Sequence, residues 1–223
     1  TLTVQSGNVT VLPNTDSLSS GSDTHKTEFL VKGTLRLLGT PGNRIVIQPT
    51  DTSKDSSWNG IQTGWTTGKL YAENIVIRKA YRGLFLNSEY DTVKNSRIED
   101  CFMYGVYSEG TPFVLLYDTL QSHNTLEGGL KYSMQYGVKI NDGDRANPTP
   151  SIRYCYFKDV KYPALFTSCA PTVFQSRFVW STIKLDNGGT PAVKVQGFST
   201  ATLDQCDFDN YSFGIKVGTR ATV

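Results

Sequence analysis

Histidine is scarce in this chain. It holds two, His25 and His123, and its four cysteines, Cys101, Cys155, Cys169 and Cys206, show no CxxC spacing, so a zinc site has no ligand set to draw on. No apolar run approaches the roughly 20 residues a membrane-spanning helix requires, so no membrane insertion is expected. Basic and acidic residues are nearly balanced, 22 against 20, and scattered. That leaves no basic stripe for nucleic acid. Apolar residues never sustain a spacing of three and four, which argues against amphipathic helices. At the amino end no charged stretch leads into an apolar one, as suits either a processed or a trimmed chain.

What is abundant is glycine (20), tyrosine (12) and phenylalanine (11), with many Val, Ile and Thr, the composition of short strands divided by turns. Seven boxes recur, each a small residue followed by an apolar one: WNGIQT (58–63), YRGLFL (81–86), MYGVYS (103–108), QYGVKI (135–140), YPALFT (162–167), TPAVKV (190–195) and SFGIKV (212–217). Their small residues are Gly60, Gly83, Gly105, Gly137, Ala164, Ala192 and Gly214, with Ile61 the first inward apolar partner. Repetition at this period marks a stacked-coil architecture. Trp58 belongs to the first box, which makes it a packing residue over an early coil ahead of a sugar platform.

A second element precedes many boxes: NIVI (74–77), NSRI (95–98), YCYF (154–157), QSRF (175–178) and QCDF (205–208). Alternation of two turns Ile77, Ile98, Phe157, Phe178 and Phe208 inward and Arg78, Glu99, Lys158 and Asp209 outward. Stacked coils need such columns, because equivalent side chains repeat about every 4.8 Å along one narrow core. The expected fold is all-β, a solenoid of parallel strands with seven to nine coils in one domain. Residues 1–50 hold the first coils and 51–217 the repeats, and 218–223 form a tail that continues or is truncated. A β-sandwich is the alternative.

The stretch FLVKGTLRLLGTPGNRIVIQPT (29–50), followed by WNGIQT, resembles the opening coils of extracellular proteins of the pectate-lyase-like, right-handed parallel β-helix superfamily. That resemblance implies the fold and an extracellular or cell-surface setting. It leaves function open, since the superfamily spans lyases, hydrolases, tailspikes, adhesins and inactive surface proteins, and fold alone does not give chemistry.

A lyase of this kind would need an acidic calcium cluster beside an Arg or Lys base. The acids to weigh are Asp100, Asp118, Asp142, Asp144, Asp159, Asp186, Asp204, Asp207 and Asp209. Asp100 and Asp159 share a turn position with Lys79 and Asn210, which gives them a turn role. Asp142 and Asp144, around Gly143, are the weak metal candidates, with calcium the cation they suit, although the ligand spacing of a calcium loop is missing. Asp118 would face inward if Leu120 aligns with the strand anchors, which a bulge or misaligned insertion would relieve. Glu99 and Asp100 lie where stacked coils could pair carboxylates for glycoside hydrolysis. No convergent set marks either residue, or either histidine, as catalytic.

Tyr71, Tyr81, Tyr104, Tyr107, Tyr136, Tyr156 and Trp65 supply rings for coil packing or for sugar stacking. Asn8 and Asn210 open sequons and are the glycosylation candidates. Cys155 and Cys206 share a register position with Ser176 between them, which favours stacked thiols over a bond. No capping helix precedes Leu2, so open solenoid ends with self-association are expected. The sequence thus points to a non-catalytic structural or adhesive β-helix module of a cell surface, filament or virion, engaging polysaccharide or other glycans. A carbohydrate-active enzyme, lyase or hydrolase, is the alternative.

Overall fold

A computed structural model describes residues 1–11, 23–52, 56, 58–64, 67–89, 91–123, 134–141, 149–181 and 190–223. Its strands form three sheets of eight, all parallel, and each turn of the chain contributes one strand to each sheet in the order A, B, C. Eight coils therefore stack as a parallel β-helix, and no helix occurs among the described residues.

Sheet A holds Leu2–Val4, Thr34–Leu38, Lys69–Glu73, Asp91–Lys94, Phe113–Leu116, Ser151–Arg153, Thr172–Phe174 and Thr202–Asp204. Sheet B runs from Asn8–Val11 and Ile45–Pro49 through Ile75–Arg78, Arg97–Glu99, Thr119–Gln121, Tyr156–Lys158 and Arg177–Val179 to Asp207–Asp209. Sheet C runs from Glu28–Val31 and Gly60–Thr63 through Arg82–Phe85, Tyr104–Ser108, Tyr136–Asn141, Tyr162–Thr167 and Pro191–Gln196 to Phe213–Val217.

From the third coil on, sheets A and B were hidden as one run in the sequence because a corner of one or two residues, one of them left-handed, divides them. Asn74, Asn95, Tyr117, Tyr154, Gln175 and Gln205 hold that corner in successive coils, with φ between 43° and 57°. The residue after each corner points inward, and the sheet B strand begins at it or just after it. Ile77, Ile98, Leu120, Phe157, Phe178 and Phe208 line up as one column through the parallel register. Its phenylalanines stack at 4.7 and 5.2 Å. On sheet A the matching column is Leu37, Ala72, Val93, Leu115, Ile152, Val173 and Leu203.

The boxes form sheet C, and their small residue has a steric cause. A Cβ on Gly105 would stand 2.8 Å from the Gly137 carbonyl oxygen and 2.9 Å from a Leu120 methyl. On Gly137 it would meet the Pro163 carbonyl at 2.5 Å and the Phe157 ring at 3.0 Å. The sheet B anchor and the next coil's backbone thus close on the same point, which only a small residue leaves free.

One box is out of register with the sequence reading. Ala164 pairs with Val138 and Val193, in the apolar column, and Pro163 takes the place opposite Gly137. The box YPALFT carries a proline one position earlier than the alignment assumed, and Ala164 shrinks the apolar column where Phe166 fills its neighbour.

Trp58 is fully buried, its indole N–H donating to the Arg78 carbonyl at 2.9 Å and its ring meeting Phe29 edge-on at 6.3 Å. It presents no face to a sugar. The last coil leaves its column residues Ile215 and Val217 exposed at 38% and 48%.

Candidate functional site

Acids come first, because hydrolytic or lyase chemistry would need them. Asp118 does face inward, 1% exposed and in unbroken register, since Leu120 pairs with both Ile98 and Phe157. The bulge expected to relieve it is not there. Instead its carboxylate accepts the backbone N–H groups of Ser96 at 2.8 Å and Leu116 at 3.0 Å, fastening the corner between sheets A and B. Burial pushes its pKa up to about 7, against those two amides and the Arg44 charge, which favour the ionised form.

Asp91 does the same work at the corner between sheets C and A. It accepts the Leu70 amide at 2.8 Å, the Thr63 hydroxyl at 2.7 Å and the Ser88 amide at 3.1 Å. Burial raises its pKa to about 6. At the corner between sheets B and C, Asp100 accepts the His123 amide and Asp159 the Ser181 amide, both at 2.7 Å. Carboxylates therefore hold backbone N–H groups at all three corners of the coil.

Glu99 heads a convergent polar network on an outer face. On sheet B it stands in the outward column Arg78, Glu99, Gln121, Lys158. Arg78 Nε donates to one carboxylate oxygen at 2.7 Å and Gln121 Nε2 to the other at 2.9 Å, and Glu99 is left 2% exposed. Gln121 Nε2 also meets His123 Nε2 at 2.9 Å, and His123 Nδ1 lies 3.0 Å from Asp100. An amide nitrogen only donates, so His123 Nε2 accepts and its proton sits on Nδ1, facing Asp100. Both Glu99 oxygens and both His123 nitrogens are engaged within this network.

Aromatic and cationic side chains gather on the outer face of sheet C. One outward column runs Arg82, Tyr104, Tyr136, Tyr162, Pro191 and Phe213. Its neighbour runs Gln62, Phe85, Tyr107, Lys139, Leu165, Lys194 and Lys216. Tyr104 stacks on Tyr107 at 4.8 Å and on Tyr136 at 5.5 Å, and Tyr136 on Tyr162 at 5.2 Å. Lys139 Nζ lies 5.3 to 5.8 Å from three of these rings, and Arg82 lies 5.2 Å from Phe85. Because the rings stack along the solenoid, their faces cover one another. What they offer outward is a row of ring edges and hydroxyls beside ammonium and guanidinium groups.

The remaining sequence candidates scatter. Tyr81 stacks on Phe102 at 5.9 Å, under Lys26. Tyr71 lies on sheet A beneath Arg36, and Tyr156 on sheet B between Thr119 and Arg177. Asp204 and Asp207 are exposed in the last coil, and Asp209 pairs with Arg177 at 2.6 Å. Asp142, Asp144, Asp186 and Trp65 lie outside the described residues. Among the described residues no group of three or more His, Cys, Asp or Glu is placed to hold a metal. Asn210 takes the left-handed corner between sheets B and C, and its side-chain nitrogen donates to the Trp180 carbonyl at 2.9 Å. Asn8 opens the first strand of sheet B. All four cysteines are free thiols, Cys155 and Cys206 in one column with Ser176 between. Sequence reasoning missed Asp91, and it missed Tyr117 and Tyr154, whose signal was their place in the corner slot held elsewhere by Asn or Gln.

No protein family, no curated protein and no solved structure matches this chain.

Proposed function

We propose that this chain is a non-catalytic structural or adhesive β-helix module of an extracellular surface, filament or virion protein, and that it engages acidic glycan chains along the outer face of sheet C. The aromatic and cationic strip carries this reading. Arg82, Lys139, Lys194 and Lys216 stand on that face with the tyrosine row, while the carboxylates at the coil corners and on sheet B are occupied in holding the fold. Tyrosine hydroxyls and Lys or Arg donors suit a polyhydroxylated anionic chain, and a rigid row repeating at the coil step suits an extended one. Similarity of the coil pattern to extracellular β-helix proteins supports the setting. Self-association belongs to the same reading.

Affinity electrophoresis through gels containing polygalacturonate or alginate tests it. Retardation of the wild-type chain, weakened at least several-fold by Lys139→Glu, is the expected result. Unchanged mobility in both gels overturns the glycan assignment. Release of new chain ends from either polymer, abolished by Glu99→Gln, overturns the non-catalytic one.

A further inference from the structure

At the corner between sheets A and B the fourth coil carries Asn95, and the fifth and sixth carry Tyr117 and Tyr154, with φ of 50°, 57° and 55°. Asparagine tolerates this left-handed backbone better than a bulky ring does. The hydrogen bonds of the corner do not ask for the rings. Asn95 N–H donates to the Leu116 carbonyl at 2.9 Å, Tyr117 N–H to the Arg153 carbonyl at 3.0 Å and Tyr154 N–H to the Phe174 carbonyl at 2.9 Å. Two tyrosines thus stand in succession where an asparagine serves the fold.

What sets the pair apart is contact combined with access to solvent. Their rings lie face to face, 4.7 Å between centroids and 12° from parallel. That separation matches the coil step of about 4.8 Å, so one ring is nearly the other carried one coil along, and equivalent ring carbons are neighbours. Tyr117 is 54% and Tyr154 37% exposed. Phe174 closes the far side of Tyr154 edge-on at 5.5 Å, and Asn95 holds the corner one coil before Tyr117, so the stack contains two phenols. The tyrosines of sheet C differ. Tyr104, Tyr136 and Tyr162 stack at 5.2 to 5.5 Å and are half-buried, and Tyr107, 4.8 Å from Tyr104, is 9% exposed.

We propose that Tyr117 and Tyr154 are an oxidative cross-linking site, joined ring to ring by a haem peroxidase acting with hydrogen peroxide into a covalent staple between the fifth and sixth coils. Each phenol gives up one electron and one proton, which leaves a phenoxyl radical whose unpaired electron is shared with the carbons ortho to the oxygen. One C–C bond forms between an ortho carbon of each ring. The hydrogen on each of those carbons then moves to its own ring's oxygen, which restores both phenols. The peroxide takes up the two electrons and two protons as its O–O bond breaks, so two tyrosines and one hydrogen peroxide give one dityrosine and two waters. Contact between the rings replaces the diffusional meeting of two radicals, which favours this pair over coupling between separate molecules. The new bond closes residues 117–154 into a loop, and a cross-link of that kind stabilises by restricting the unfolded chain. The site stands whether or not sheet C binds a glycan.

Dilute wild-type chain, treated with a catalytic amount of a haem peroxidase and with hydrogen peroxide, is expected to gain dityrosine fluorescence while remaining monomeric on a denaturing gel. Tandem mass spectrometry of the digested monomer is expected to find Tyr117 joined to Tyr154, two hydrogens lighter than the separate fragments. Tyr117→Phe and Tyr154→Phe keep the stacked ring but lack the phenol, and each is expected to cut the fluorescence gain at least fivefold. Tyr104→Phe is expected to leave it unchanged. The cross-linked monomer is expected to melt several degrees above the untreated chain. No fluorescence gain, cross-links confined to other tyrosines or to dimers, or an equal gain in Tyr117→Phe overturns the site, and an unshifted melting temperature overturns the staple. Mapping on the wild-type chain decides the matter without the variants, should either fail to fold.

Discussion

The carboxylate of Asp159 reaches into the next coil to accept the backbone amide of Ser181 at 2.7 Å and its hydroxyl at 2.8 Å, at the point where the chain leaves sheet B for residues 182–189. Asp100 makes the same reach to the amide of His123, where the chain departs for residues 124–133. Two coils with a long connection after sheet B thus have an aspartate one coil earlier holding the first residue of the departure. Lys79 and Asn210, at the same corner with the same left-handed backbone, serve short connections or the final coil. Each aspartate acts as a capping residue does at a helix start, where replacement by Ala costs about 1 kcal/mol. Asp159→Ala should therefore speed hydrogen exchange at the Ser181 amide roughly five- to tenfold while leaving sheet B amides protected. Asp159→Asn, which keeps one acceptor oxygen, should restore most of the protection.

Asp118 and Asp91 tie stability to pH. Both have folded-state pKa values raised by burial, to about 7 and about 6, from an ordinary 3.8. Below about pH 4 folded and unfolded chains both keep these protons, so the two acids make stability no steeper. Between there and about pH 7 the unfolded chain releases its protons first, so each rise in pH favours unfolding, by up to about 1.4 kcal/mol per unit for each group. Above about pH 7 this slope ends. Chemical denaturation across that range should show stability falling as pH rises. Asp118→Asn, whose amide does not ionise, should flatten the fall, at the expense of one of the two side-chain oxygens that accept backbone N–H groups. A wild-type stability that climbs over the same range would show the carboxylates to be stabilised as ions.

Much of the coil was legible because the strongest steric demands fall on single positions. Gly105 and Gly137 recur in the boxes because the next coil's carbonyl and the sheet B anchor leave no room for a Cβ. Ile98, Phe157 and Phe178 recur because one column fills one core. What stayed hidden has equally local causes. Sheet A is joined to sheet B there through two residues, Asn95 and Ser96, so no Gly or Pro turn signal separates Asp91–Lys94 from Arg97–Glu99. Composition cannot tell an aspartate that caps two amides in the interior, as Asp118 does, from one in solvent. Spacing to Leu120 placed it inward, yet the partners that make an inward carboxylate tolerable belong to Ser96 and Leu116, one coil back and one strand back. The aromatic face of sheet C appears only when Tyr104, Tyr136 and Tyr162, far apart in sequence, fall into one column.

The box glycines should differ sharply in their tolerance of a methyl group. At Gly105 the added Cβ meets backbone and core at under 3 Å, whereas at Gly214, in the last coil, it meets only the Phe208 ring, at 3.3 Å or more. Overpacking of the first kind costs about 1–3 kcal/mol. Gly105→Ala should lower the denaturation midpoint accordingly, and Gly214→Ala should leave it within about 0.5 kcal/mol of wild type. Equal losses at both would mean that the motif reflects backbone freedom rather than the approach of the next coil.

Two arginine–carboxylate pairs of nearly equal length should behave oppositely. Arg78 to Glu99 and Arg177 to Asp209 measure 2.7 and 2.6 Å. The Asp209 side chain is 48% exposed, so water replaces its partner readily, and Arg177→Ala should leave the melting temperature unchanged. The Glu99 side chain is 3% exposed, and removing Arg78 leaves a buried charge with Gln121 as its remaining side-chain donor. Losses of about 3–5 kcal/mol follow when a fully buried pair is broken this way, and because Arg78 is itself 41% exposed, water entering its place should reduce the loss to about 2 kcal/mol. Arg78→Ala should therefore melt well below wild type. Adding Glu99→Gln to it should recover much of the difference, because a neutral amide no longer needs the cation. Recovery in the double variant separates the stranded charge from the packing lost with the arginine stem, which Glu99→Gln would not restore.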